Sequence, residues 1–291
     1  MPDPTPAQSL LIDQLAGLVE LPGVRVRADA AREACTGLRF HEALRRRIPE
    51  ASAESRVRGA RASAALDGVE FPVELVRELM SGARKWPERL DPGLASLKGA
   101  ISVTAESERV VSLIRAAPLQ ALARLHVTAA ASVIKAEWLG RPRVGDENSD
   151  EFVDLGPAPS AAQVASRLAQ LSELIVTAAV ATSRIPAVVI ASIVHAEIAA
   201  IRPFVHGNGL VARAAERALI QALGLDPTGV AVPEVGHGEQ GGPAYLGSLA
   251  AYASGSAQGV GLWLTQSADA LLAGVAEGIR ICDAVRAGRL T

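Results

Sequence analysis

Apolar residues return every three or four positions in segment after segment of this 291-residue chain, alanine and leucine abound, and β-branched runs are short. That period matches a helix with one face turned inward, so the chain is expected to be all-α. Helices are predicted over roughly 5–19, 28–47, 54–67, 72–82, 92–116, 118–137, 160–181, 186–200, 210–223, 243–254 and 259–287. Several carry their own boundary signals. Pro72, Pro118 and Pro186 suit first-turn positions, Ser160 with Gln163 forms a capping-box pattern, and Gly224 is placed to stop a helix. At 49% hydrophobic residues the chain can bury a sizeable core without staples. Cys35 and Cys282 lie far apart in no ligand spacing, so they read as buried small hydrophobes in a reducing compartment.

The remaining bulk features narrow the class of partner. With 29 Lys+Arg against 31 Asp+Glu there is no overall field to attract nucleic acid or anionic lipid. The opening "MPDPTPAQSL" lacks the basic start and apolar run of a signal peptide, and no segment offers about 18 uninterrupted apolar residues. A cytoplasmic protein with no membrane partner is expected. One segment breaks the helical pattern: "LGRPRVGDENSDEFVDLGPAP", residues 139–159, is polar, rich in Gly and Pro, and too long for an ordinary helix connection. Its "EFVDL" alternation predicts one arm of a short hairpin.

The most pointed feature is "IRPFVHGNGLVARAAER", where Gly207, Asn208 and Gly209 end a loop that feeds a helix. Free backbone N–H groups and the helix dipole favour an anion there, and glycine lets the backbone adopt positive φ. By itself the turn reads equally well as a tight interhelical connection. Its surroundings add more. "HAEIAAIRPFVHGNGLVAR" resembles the Fic family motif H-P-F-x-[DE]-G-N-G-R-x-x-R, with Pro203, Phe204, Gly207, Asn208, Gly209 and Arg213 in register. His195 falls where such sequences often carry a histidine in the preceding helix. The resemblance extends to residues 139–159 as a target-docking flap and to the "PAYLGSLAAY" helix. It implies a Fic-like helical bundle over 55–287, a motif loop at 202–213 and a helical extension over 1–54. "SAALDG" resembles the inhibitory motif [ST]-x-x-x-E-[GN], with Ser63, Asp67 and Gly68 in a helix over 55–68. The resemblance implies that Asp67 reaches Arg213.

The family chemistry is transfer of AMP from ATP to a protein hydroxyl, with the motif histidine as base, the carboxylate on Mg²⁺ and the arginines on phosphates. This sequence departs from it at three positions. Arg202 stands at the histidine position, and a guanidinium does not act as a general base. His206 replaces the carboxylate, a poor partner for Mg²⁺. Leu210 replaces the first arginine. No catalytic residue is therefore assigned, and Mg²⁺ is not expected. Gly207, Asn208, Gly209, Arg213 and Arg202 are the candidate nucleotide or phosphate ligands, ATP or another nucleotide being the ligand implied. Arg202 could equally pair with Asp67 or with a flap acid, Asp146, Glu147 or Asp150. A displaced base at His206 and a metal set from His195, His206 and His237 are the less favoured readings, and His41 and His126 read as ordinary helix residues. The reading that results is a pseudoenzyme that binds a nucleotide, a phosphate ligand or a protein partner at the flap without AMP transfer, with a homodimer implied by the family's habit. The alternative is a nucleotidyl- or phosphoryl-transferase with altered residues.

Overall fold

Two consecutive helices organise the structure, a computed structural model that describes residues 4–239 and 241–289. The first three residues of the expected extension lie outside that range. In "AVVIASIVHAEIAAI" the apolar residues go all the way round the helix, and a helix of that kind must be buried on every side. It is: α9 (Ala187–Ile201) is enclosed along nearly its whole length, and α10 (Asn208–Ala222) returns antiparallel beside it. Each fully buried Ile, Val or Leu on the pair contributes about 1.5–3 kcal/mol relative to exposure.

The other helices wrap this pair. Before it come α1 (Pro6–Val19), α2 (Val24–Arg39), α3 (Ile48–Leu66), α4 (Val73–Ser81), α5 (Pro92–Arg109), α6 (Leu113–Ala116), α7 (Pro118–Ala130) and α8 (Ala161–Ala178). After it come α11 (Pro233–Glu239), α12 (Gly242–Ala253) and α13 (Ala257–Arg286). One side of α10 packs on α5, α7 and α3, while α13 lies across α9, α2, α11 and α12. Cys35 and Cys282 are both free and buried, as expected.

Among the described residues there is no strand, so the expected hairpin in the flap is not formed. Val153–Leu155 is instead a single 3-10 turn, because left-handed Phe152 and Gly156 bracket it and interrupt any extended run. The predicted 28–47 helix stops at Arg39 and resumes as a 3-10 turn, Glu42–Arg45, capped by His41 Nδ1. The helix expected over 54–67 begins earlier, at Ile48 with Pro49 in its first turn, and crosses the expected boundary at 54. The 92–116 helix breaks at Val110, the 118–137 helix ends at Ala130, and α11 was not foreseen. No helix among the described residues is long and apolar enough to cross a membrane.

Candidate functional site

Helix α9 cannot continue past Arg202, which takes a left-handed φ of 46°, because Pro203 follows. The chain then turns through Phe204, Val205 and His206 into Gly207, whose φ of 86° needs a glycine. Asn208 clasps this loop: its Oδ1 accepts from Phe204 N at 2.9 Å and its Nδ2 donates to Phe204 O at 2.9 Å. His126 supports it from α7, stacked on the Phe204 ring at 3.8 Å. Gly140 N donates to His126 Nδ1 at 2.9 Å, which assigns the proton to Nε2, and Nε2 donates to His206 O at 3.0 Å. His126 is thus no ordinary helix residue. It ties the start of the flap to the glycine loop, and burial pushes its pKa down to about 4, so it is neutral.

The amides expected to hold an external anion hold a side chain of the flap. Gly207 N donates to Glu151 Oε1 and Asn208 N to Glu151 Oε2, both at 2.9 Å. Asn208 Nδ2 adds a third bond to Oε2 at 2.5 Å and reaches Ser149 Oγ at 3.2 Å. A carboxylate at the N-terminus of a 15-residue helix is favoured by both its free N–H groups and its dipole. The next residue, Phe152, has a left-handed φ of 54°, which costs a bulky side chain about 1–2 kcal/mol. Its ring covers Gly209, where a Cβ would stand 3.2 Å from the ring and 3.1 Å from Arg213 Nη1.

Arg202 does not reach the glycine amides, contrary to the expectation that it serves as a phosphate ligand. Its guanidinium donates to four flap carbonyls: Glu151, Phe152 and Gly156 through Nη1 at 3.2, 3.2 and 2.9 Å, and Pro157 through Nη2 at 3.0 Å. None of the flap acids weighed from sequence is its partner; Glu147, for instance, pairs with Arg141. Burial, with the nearby Arg143 and Arg167, lowers its pKa below the usual arginine value. A second buried arginine repeats the device. Arg143 donates to the carbonyls of Arg202 at 2.8 Å, Glu147 at 2.9 Å and Pro159 at 2.9 Å.

Asp67 and Arg213 meet as expected. Arg213 Nη2 donates to Asp67 Oδ2 at 2.7 Å and to Ser63 O at 3.1 Å, and Nε donates to Ser63 Oγ at 2.7 Å. Ser63 and Asp67 sit four residues apart, so both fall on the face of α3 that Arg213 meets. Nη1 has no hydrogen bond of good geometry, although the Tyr245 hydroxyl acts on the guanidinium. Despite full burial, Asp67 and Tyr245 raise the Arg213 pKa, so the cation persists. Gly68 lies just past the helix with a φ of 82°. His206 is half-exposed, its Nδ1 3.9 Å from Glu151 Oε1, and Leu210 is buried. Around these residues lies a cavity of about 340 Å³, lined by Asp67, Glu151, Phe152, His206 and Leu210 among others.

Behind Arg213 lies a polar cluster that the sequence did not reveal. Tyr245 OH is 2.8 Å from His195 Nε2; His195 Nδ1 and His237 Nε2 approach Glu216 Oε2 at 2.7 and 2.8 Å; Ser267 donates to Oε1 at 3.1 Å. Three possible ligand atoms lie within 4.8 Å of one another, with Glu216 where His206 had been considered. Both imidazoles aim at one oxygen, as hydrogen-bond donors do. His237 Nδ1 has no partner, which suits a lone pair there and would strand the N–H that a metal on Nε2 would require. Burial works to raise the Glu216 pKa, but the two imidazoles outweigh it and hold the carboxyl well below its usual range.

A Fic/DOC family model matches residues 117–220. That span holds the flap, α9, the glycine loop and α10. Residues 117–220 form a Fic-type domain. Three of the solved structures that match share the fold over most of this chain. One is a Fic family protein from Desulfovibrio desulfuricans G20, 19% identical, with a TM-score of 0.69 over 89% of this chain and 74% of that one. Another is Fic-1 from C. elegans, 15% identical, with a TM-score of 0.64 over 91% of this chain and 73% of that one. The third is a Fic domain containing signaling protein from Bacteroides thetaiotaomicron VPI-5482, 12% identical, with a TM-score of 0.63 over 88% of this chain and 98% of that one. No curated protein matches the sequence.

The nucleotide and magnesium that the Fic fold implies do not fit the donors in the cavity. The carboxylates facing it are spoken for, Asp67 on Arg213 and Glu151 on the amides, and Leu210 offers a phosphate nothing. A triphosphate there would meet two carboxylates and no arginine on the cavity wall.

Proposed function

We propose that this Fic-type protein acts by binding and does not transfer AMP. The observation that carries the reading is the position of Arg202. It occupies the place of the base, cannot accept a hydroxyl proton, and is committed to four flap carbonyls. Loss of a general base alone forfeits about 10²–10⁴ in rate. Without a metal carboxylate and a first phosphate arginine, the stabilisation of developing charge is lost as well. What remains is a scaffold with an anion-binding loop and a flap whose outer residues, Asp146, Asn148, Asp150, Val153 and Asp154, are exposed to a protein partner. The test is incorporation of labelled AMP into the protein itself and into lysate proteins, with Mg²⁺ or Mn²⁺ at neutral pH. The expected result is background incorporation, unchanged in Arg202→His.

A second reading keeps transferase activity with His206 as a displaced base. It is favoured by one observation: His206 lines the cavity with Glu151 beside its Nδ1. Incorporation above background that His206→Ala abolishes would establish it in place of the first.

A further inference from the structure

We infer that Glu151 and Phe152 form an internal ligand that plugs the glycine loop, and that the loop takes an external phosphate group only when this plug withdraws. The inference rests on the binding reading above and adds how that site is regulated. Four observations meet at one place. The Glu151 carboxylate satisfies the two backbone amides and the Asn208 amide that an external anion would use. It is there as a bound anion, with one oxygen on each backbone amide. Phe152 accompanies it in a backbone conformation that a phenylalanine rarely adopts, so the closed state carries strain that opening relieves. Gly145 and Gly156, both left-handed and both with open space around them, bracket the segment and can absorb a change of φ and ψ.

The fourth observation is the way the segment is attached. Arg143 and Arg202 hold the flap mainly at Glu147, Gly156, Pro157 and Pro159, on both sides of the plug. Of the bonds from these two arginines to the flap, only the two longest from Arg202, to the carbonyls of Glu151 and Phe152, must break for residues 148–155 to lift, along with the Glu151 and Ser149 bonds to the loop and the packing of Phe152 and Leu155. The plug can therefore leave without unfolding its base. The competitor must be an anion small enough for the two amides and able to bind without a metal, which a single phosphate group satisfies.

The experiment titrates inorganic phosphate into wild type, Glu151→Ala and Glu151→Gln by calorimetry, with Glu173→Ala on α8 as an exposed control. If the closed state holds about nine molecules in ten, Glu151→Ala should bind about tenfold more tightly than wild type, with Glu151→Gln between them and Glu173→Ala at the wild-type value. Equal affinity in wild type and Glu151→Ala, or no binding by folded Glu151→Ala at millimolar phosphate, overturns the inference. Should Glu151→Ala fail to fold, hydrogen exchange on wild type decides. Saturating phosphate should speed exchange across 148–155 while the Gly207 and Asn208 amides stay protected, and unchanged exchange in 148–155 overturns the plug. A parallel ADP arm separates a free phosphate from a nucleotide as its source. The AMP-incorporation assay fails independently: labelled product from wild type would defeat the binding reading while leaving these titrations to judge the plug.

Discussion

Two carboxylates face the same cavity, and they are held in opposite ways. Asp67 stands at the end of a 19-residue helix and bonds Arg213, which also donates to Ser63 one turn earlier. Glu151 stands in a loop, is held by backbone amides, and precedes a strained phenylalanine. The first contact is a latch built into two packed helices, and the second is a plug carried by a loop between two glycines. A side chain fixed by a helix can be relied on to stay, whereas one fixed by a loop can be exchanged. The site thus has one permanent wall and one removable one.

The largest way to break the comparison is Arg213→Ala. It removes a guanidinium only 1% exposed together with its bonds to Ser63 and Asp67, and should cost about 3–5 kcal/mol in urea unfolding. A loss under about 1 kcal/mol would show that the latch side is as dispensable as the plug.

Acid is the next lever, and it acts through His126. Its folded pKa of about 4 lies below the ordinary 6.5, so unfolding takes up a proton between those values. The stability it confers is complete above pH 6.5 and falls as pH drops towards 4, by up to about 3 kcal/mol. His195, pushed down to about 4 by burial, acts in the same direction behind the latch. Unfolding of wild type and His126→Gln across this range should show a shallower pH dependence in the variant. Identical slopes would mean that His126 titrates normally.

Asp67→Ala leaves Arg213 with Ser63 and the Tyr245 hydroxyl, and the Asp67 side chain is 35% exposed and its pair partly screened, so about 1–2 kcal/mol is expected. Glu151→Gln should be the mildest, under about 1 kcal/mol by thermal unfolding, because weaker bonds to the amides are offset by relief at Phe152. If Glu151→Gln proves costlier than Asp67→Ala, the removable wall has been assigned to the wrong carboxylate.

The latch was legible in the sequence and the plug was not, for a physical reason. Ser63 and Asp67 sit four residues apart at the end of one helix, which puts them on one face, and it was the resemblance to the inhibitory motif that implied this face meets Arg213. Glu151 lies in a segment with no period, and its apparent alternation with Val153 and Leu155 pointed to a strand. Arg202 overrides that alternation by capturing the carbonyls of Glu151, Phe152 and Gly156, which no side-chain pattern records. The polar cluster escaped notice because Glu216, His195, His237 and Tyr245 come from four helices. Helix α11 was hidden by composition. "PEVGHGE" has poor helix propensity, and its Gly236 is there because a Cβ would stand 1.8 Å from Ala270 O on α13.

The grip of Arg143 and Arg202 on main-chain oxygens has one more effect. Every residue carries a carbonyl, so these bonds ask nothing of the side chains at the positions they hold. The outline of residues 143–159 is set from beneath, while Asp146, Asn148, Asp150, Val153 and Asp154 point into solvent with no part in maintaining it. Such a surface behaves like type set in a fixed frame: its lettering can be rewritten, and its recognition changed, while the frame keeps its shape.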